Sequence, residues 1–93
     1  MKILQVHSIE DWAYVLDSSG RLWERPFTPD LPTKWERIPP LPGLSSDVLV
    51  VESFTVTPID GVIFAVAGNG TRLFRYLTIW EEITPPFAEG MLQ

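Results

Sequence analysis

The sequence predicts an all-β fold made of two tandem repeats, each a four-stranded antiparallel sheet. Residues 11–23 and 61–74 are two versions of one pattern, in which an alternating apolar stretch runs through a glycine turn to an aromatic residue. Each version is followed by a Trp-Glu pair and then by two adjacent prolines, within residues 35–40 and 80–86. No segment has sustained helical periodicity, and short apolar runs between glycine and proline clusters are typical of strands and turns.

Eight strands are expected in chain order. They are residues 2–8, 12–18, 21–27 and 35–38 in the first repeat and residues 47–58, 62–67, 72–77 and 80–83 in the second. The second strand alternates Trp12, Tyr14 and Leu16 on one face with Ala13 and Val15 on the other. A sheet that is packed on both faces requires this period-2 pattern.

The connections are expected at glycine and proline. Residues 18–20 and 68–70 form hairpin turns, because glycine adopts a positive φ at little cost. The apolar run 48–51 predicts a buried strand within 47–58. The first repeat has a longer loop at residues 28–34, stiffened by proline, and residues 87–93 are expected to be a frayed end.

Length and composition limit the chain to a single domain at residues 1–93, with the first repeat at about 1–42 and the second at about 43–87. The formal net charge of −5 argues against binding nucleic acid through its phosphates. The chain has no cysteine, which excludes disulfides and cysteine-based metal sites. Without a signal peptide or an apolar run of membrane length, we expect a cytoplasmic protein with no membrane partner.

The spacing of the repeats is typical of β-propeller blades. Tyr14 and Phe64 are 50 residues apart, and Trp35 and Trp80 are 45 apart. Two blades alone leave apolar outer faces exposed, since repeat architectures generally need three or more units. We therefore expect a homo-oligomer that closes a propeller by head-to-tail contacts, with a trimer giving six blades. The alternative is a compact sandwich or small barrel that buries its own faces.

The sequence favours neither catalysis nor metal binding. His7 is the only histidine, and the serines lie at turns rather than in a nucleophile elbow. Glu81 and Glu82 are neighbours on a strand, so they point to opposite faces and cannot act as a carboxylate pair. We expect no enzyme activity, no cofactor and no metal site.

Aromatic and charged residues after the two glycine turns are the candidate ligand-binding residues. They are Arg21, Trp23, Glu24 and Arg25 in the first repeat and Arg72, Phe74 and Arg75 in the second. Trp23 and Phe74 occupy equivalent positions, where an aromatic ring can form core or line a shallow pocket. The alternative for Arg21 and Glu24 is an ordinary cross-strand ion pair.

The run 18–25 after a strand, followed by Trp35, resembles the small bacterial and fungal fucose-binding lectins of the six-bladed propeller type. This resemblance implies chains of two blades that trimerise, and a sugar-binding carboxylate at the position of Glu24. The chain has Ala13 where that family carries a sugar-binding arginine, and Arg75 at the second glutamate position. The match extends to generic blades, such as kelch-like and tectonin-like repeats.

We therefore predict a non-enzymatic binding module, a protein-binding scaffold built as an oligomeric propeller. The first alternative is a carbohydrate-binding lectin with a glycan ligand. The second is a small acidic inhibitor of a larger enzyme, whose binding would weaken in salt.

Overall fold

The structure is a computed structural model that describes residues 1–28, 34–42 and 50–89. The first repeat contains β1 (Ile3–Ile9), β2 (Trp12–Asp17), β3 (Leu22–Pro26) and β4 (Glu36–Arg37). The second contains β5 (Ser53–Val56), β6 (Ile63–Ala67), β7 (Arg72–Tyr76) and β8 (Trp80–Glu82), followed by the 3-10 helix Pro86–Glu89.

The strands form two four-stranded antiparallel sheets, which confirms the all-β prediction and the repeated sheet unit. Sheet 1 has the order β1-β2-β3-β4, and sheet 2 has the order β5-β6-β7-β8. Within each sheet, every strand after the first therefore pairs with the strand that precedes it in the chain. The glycine turns join the two central strands of each sheet, with φ of +82° at Gly20 and +81° at Gly70.

One hydrophobic core lies between the two sheets. The core side chains from sheet 1 and the segment after it are Tyr14, Leu16, Leu22, Ile38 and Leu41. Those from the second repeat are Val51, Phe54, Val56, Ile63, Ala65, Ala67 and Phe74. The sheets are also tied by hydrogen bonds, because the Phe54 amide donates to Gln5 Oε1 at 2.9 Å and the Trp80 indole N–H donates to the Pro39 carbonyl at 2.7 Å.

Equivalent rows of side chains in the two sheets point in opposite directions relative to this core. One row across sheet 1 consists of Val6, Val15, Trp23 and Arg37. The row at the same place in sheet 2 consists of Phe54, Ala65, Phe74 and Glu82. Phe54 is buried in the core, whereas Val6 is 60% exposed. The second repeat is thus stacked on the first in the same sense, so that the front of one sheet packs against the back of the next.

This arrangement leaves two unlike outer faces. We define the outer face of sheet 1 by Ile3, Val6, Val15 and Trp23, and the outer face of sheet 2 by Phe64, Val66, Leu73 and Ile83. Alternation along each strand places these side chains opposite to the buried ones.

The predicted strand at 48–51 is wrong for Val50 and Val51, since both precede β5 and lie outside any strand; residues 48 and 49 lie outside the described residues. The Val51 amide instead donates to the Gly20 carbonyl of sheet 1 at 3.2 Å, so this stretch links the sheets. Of the predicted loop 28–34, residues 29–33 lie outside the described residues. Of the expected frayed end at residues 87–93, residues 87–89 belong to the 3-10 helix, and residues 90–93 lie outside the described residues.

We expect Gly20→Ala to destabilise the fold more than Gly70→Ala. Both glycines have the same left-handed φ, so each substitution should cost about 1–2 kcal/mol of strain. A Cβ at Gly20 would also overlap Val50, whereas one at Gly70 meets nothing within 4 Å. Overpacking of this kind adds about 1–3 kcal/mol.

Urea unfolding of both variants at one chain concentration measures this difference. Equal losses in the free energy of unfolding would contradict the tight contact between Gly20 and Val50.

Candidate functional site

A cleft between the two repeats is the first candidate site, and we call it the inter-repeat cleft. Its volume is about 210 Å³. Sheet 1 and the linker contribute residues 19–22 and 37–41, and the second repeat contributes Val50, Val51 and Trp80. The Trp80 indole holds one wall by its bond to the Pro39 carbonyl. Arg21 is exposed at this cleft. The cleft therefore combines apolar walls with a cationic rim.

A second cleft lies on the outer face of sheet 1, and we call it the Trp23 cleft. Its volume is about 340 Å³. The lining residues are Met1, Lys2, Ile3, Val15, Asp17, Trp23 and Trp35. Trp35 is 41% exposed, so its ring is open to a binding partner.

Asp17 fixes the Trp23 ring in this cleft. Its carboxylate accepts hydrogen bonds from the Trp23 indole at 2.9 Å and from the amides of Ser19 at 2.8 Å and Arg21 at 3.1 Å. Burial raises the pKa of Asp17, but these bonds and the charge of Arg21 outweigh burial, so its pKa is below the ordinary value. The carboxylate is ionised at neutral pH, and both of its oxygens already accept hydrogen bonds from Ser19, Arg21 and Trp23.

Glu24 lies in an unfavourable electrostatic environment. It is half-buried on the same face as Tyr14 and pairs across the strands with Tyr14 on one side and Glu36 on the other. Burial, and secondarily the charge of Glu36, raises the pKa of Glu24. Burial and then the charge of Glu24 raise the pKa of Tyr14.

The cross-strand ion pair between Arg21 and Glu24 that the sequence offered as an alternative is not formed. Within the described ranges, no ion pair joins Arg21 to Glu24. The Arg25 guanidinium lies over the Phe27 ring at 4.5 Å from its centroid. Arg25 shares the outer face of sheet 1 with Trp23, since the two are two positions apart on β3 with only Glu24 between them.

The candidates of the second repeat are engaged within sheet 2. Arg72 forms a two-point contact with Glu82, through Nε–Oε2 at 2.9 Å and Nη2–Oε1 at 2.7 Å. Hydrogen bonds from Arg72 and then Thr84 lower the pKa of Glu82 to about 2. Arg75 pairs with Glu81 at 3.1 Å.

Phe74 has no exposed surface and packs edge-on against Trp80, with ring centroids 6.4 Å apart. In this structure it is a core residue.

The seven candidates therefore do not form one site. Arg21 lies at the inter-repeat cleft, Trp23 and Arg25 on the outer face of sheet 1, and Glu24 on the opposite face of β3. Sequence reasoning did not place Asp17, Trp35 or Trp80 among the candidate ligand-binding residues, and it favoured a core role for the two tryptophans. Asp17 had a local signal, because an aspartate directly before a Ser-Ser-Gly turn commonly caps that turn.

Comparisons with protein-family models, curated proteins and solved structures find no match to this chain. In the part of the chain that the structure describes, no three histidine or acidic side chains are grouped so that they could hold a metal ion. None of the described residues form a helix that is long and apolar enough to span a bilayer.

We expect Glu24→Gln to stabilise the fold at neutral pH by about 0.2–1 kcal/mol, because it removes a like-charge pair directly across two strands. The folded pKa of Glu24 is raised above 4.5, so ionisation costs stability. That cost in stability is absent below pH 4.5 and complete at pH values above the pKa of Glu24 in the folded chain. The gain should therefore appear as pH rises, in urea unfolding measured over a pH series.

Glu81→Gln is the matched control, because the Arg75–Glu81 pair in sheet 2 holds the place of the Glu24–Glu36 pair, with Glu81 facing a cation instead of a second carboxylate. It should give no gain at any pH. A loss of stability in Glu24→Gln at neutral pH would contradict the repulsion.

Proposed function

We propose that the chain is a non-enzymatic binding module that completes a β-propeller by homo-oligomerisation and binds a protein partner at its inter-repeat clefts. The observation that carries this proposal is the pair of unlike, apolar outer faces on either side of the shared core.

The outer faces have the composition of surfaces that another protein covers. On sheet 1, Ile3 is 67% exposed and Val6 60% exposed. On sheet 2, Phe64 and Val66 are half-buried side chains of a central strand with no layer over them in the described chain, and Ile83 is 36% exposed. A self-contained sandwich has polar residues on its outer faces. Contiguous exposed apolar patches indicate an interaction site.

The inter-repeat cleft supports a protein ligand. Val50 and Trp80 offer apolar contact area, and Arg21 offers a charged hydrogen-bond donor at the rim. Buried aromatics and arginine supply most of the affinity in protein interfaces. A partner segment with an apolar side chain beside a carboxylate has the matching chemistry. Because the chain lacks cysteine, we propose that it meets this partner in the cytoplasm.

Light scattering coupled to size exclusion tests the assembly. We expect a mass of about three times the 10.6 kDa of one chain, because six blades close a ring. A mass of 10.6 kDa at micromolar chain concentration would overturn the propeller.

A carbohydrate ligand is the second candidate function, and the Trp23 cleft favours it. Trp23 and Trp35 line an open cleft beside the Asp17 carboxylate, and an indole ring can stack on the apolar face of a sugar.

For this candidate we expect a glycan array to detect binding that Trp23→Ala abolishes, because the stacking surface is removed. Trp12→Ala is the control, since Trp12 is on the opposite face of sheet 1 and should leave binding unchanged. An array without signal for the unaltered chain excludes the lectin.

A further inference from the structure

We propose that the outer face of sheet 1 docks onto the outer face of sheet 2 of a second copy, in the register that joins the two repeats within one chain. The second copy also completes the Trp23 cleft, which is only half of a site in the single chain. This inference rests on the proposed oligomer and specifies its contact surface.

The register follows from the ladder rows. Within the chain, Leu16 and Leu22 of sheet 1 pack on the row of Phe54, Ala65 and Phe74 in sheet 2. On the outer faces, the row of Val6, Val15 and Trp23 corresponds to the buried row of sheet 2. Val66 and Leu73 of sheet 2 correspond in the same way to Leu16 and Leu22. Each outer face therefore carries the counterparts of the side chains that pack together between the two repeats.

A hydrogen bond between chains also follows. The Trp80 indole donates to the Pro39 carbonyl across the inter-repeat contact. Trp35 holds the place of Trp80 in the first repeat. Thr84 holds the place of Pro39, because Ile38 donates to Leu22 as Ile83 donates to Leu73. Within the described ranges the Trp35 indole N–H has no acceptor, and docking directs it to the Thr84 carbonyl of the second copy.

The clefts match in the same register. Sheet 1 supplies residues 20–22 and 38–40 to the inter-repeat cleft, and the second repeat supplies Val50, Val51 and Trp80. Four equivalents of the first group, Thr71, Arg72, Leu73 and Pro85, line a cleft of about 190 Å³ on sheet 2 together with Val66, Gly70 and Phe87. The equivalents of the second group, Lys2, Ile3 and Trp35, line the Trp23 cleft. Docking joins these two half-clefts into one.

The contact is heterologous, since one copy contributes sheet 1 and the other contributes sheet 2. Two variants that each block one face distinguish this geometry from a symmetric one. Val6→Glu places a charge on the outer face of sheet 1, and Ile83→Glu does so on sheet 2. Both positions are exposed in the single chain, so the fold should tolerate them, and circular dichroism checks this.

We expect each variant alone to be a monomer and an equal mixture of the two to form a dimer with twice the mass of one chain. Sedimentation measures these masses, at chain concentrations well above those at which the unaltered chain assembles. Each variant retains the face that the other lacks, so only the mixture has one intact contact.

Suppose that the unaltered chain assembles. If one variant alone then still dimerises, or if the mixture stays monomeric, the docking geometry is overturned but the oligomer stands. A monomeric unaltered chain overturns both proposals.

Trp35→Phe gives an independent test if a glutamate variant fails to fold. It removes the indole N–H together with the five-membered part of the ring, so each contact should weaken by at least the roughly two- to tenfold that a lost hydrogen bond costs. Trp80→Phe is the control, because it removes the equivalent bond within the chain and should lower thermal stability without a direct effect on the contact between copies. Unchanged assembly of Trp35→Phe contradicts the predicted bond.

Discussion

The structure depends on the two-sidedness of a β-strand. Successive side chains point to opposite faces, so a sheet that buries one face must present the other. Here the shared core takes the Tyr14 and Leu16 side of sheet 1 and the Ala65 and Phe74 side of sheet 2. These are opposite sides of the repeated unit. The two outer faces that remain are therefore unlike each other, in contrast to a sandwich whose two inner faces are of the same kind.

This alternation also explains why similar residues in the two repeats have different roles. Trp23 and Phe74 occupy the same row position, yet Trp23 borders an open cleft and Phe74 is enclosed. Glu24 and Arg75 also correspond, but Glu24 is half-buried opposite Glu36, whereas Arg75 is exposed and paired with Glu81. The position within a repeat decides which face of the sheet a side chain lies on. Which of the two repeats it belongs to decides whether that face is buried in the core or exposed.

Local patterns were sufficient to predict most of the strands and both hairpins, because period-2 alternation, Gly20 and Gly70 act over a few residues. They failed at Val50 and Val51, where an apolar run resembles a strand but the Val51 amide bonds to Gly20 in the other sheet. The candidate site was predicted less well than the fold. Its walls combine Trp80 with the distant Pro39, and Asp17 with Trp23 across a turn, and such contacts have no signal in a single repeat.

The outermost strands of the two sheets end alike. β4 is the charged pair Glu36–Arg37 and is followed by Pro39 and Pro40, while β8 includes Glu81 and Glu82 and is followed by Pro85 and Pro86. Charges and prolines at a sheet edge resist the addition of a foreign strand, because proline offers no N–H for a new ladder. Growth sideways into fibrils is thus resisted at the β4 and β8 edges, while the broad faces stay available. A chain rich in short apolar strands can in this way be adhesive on its faces and inert along these two edges.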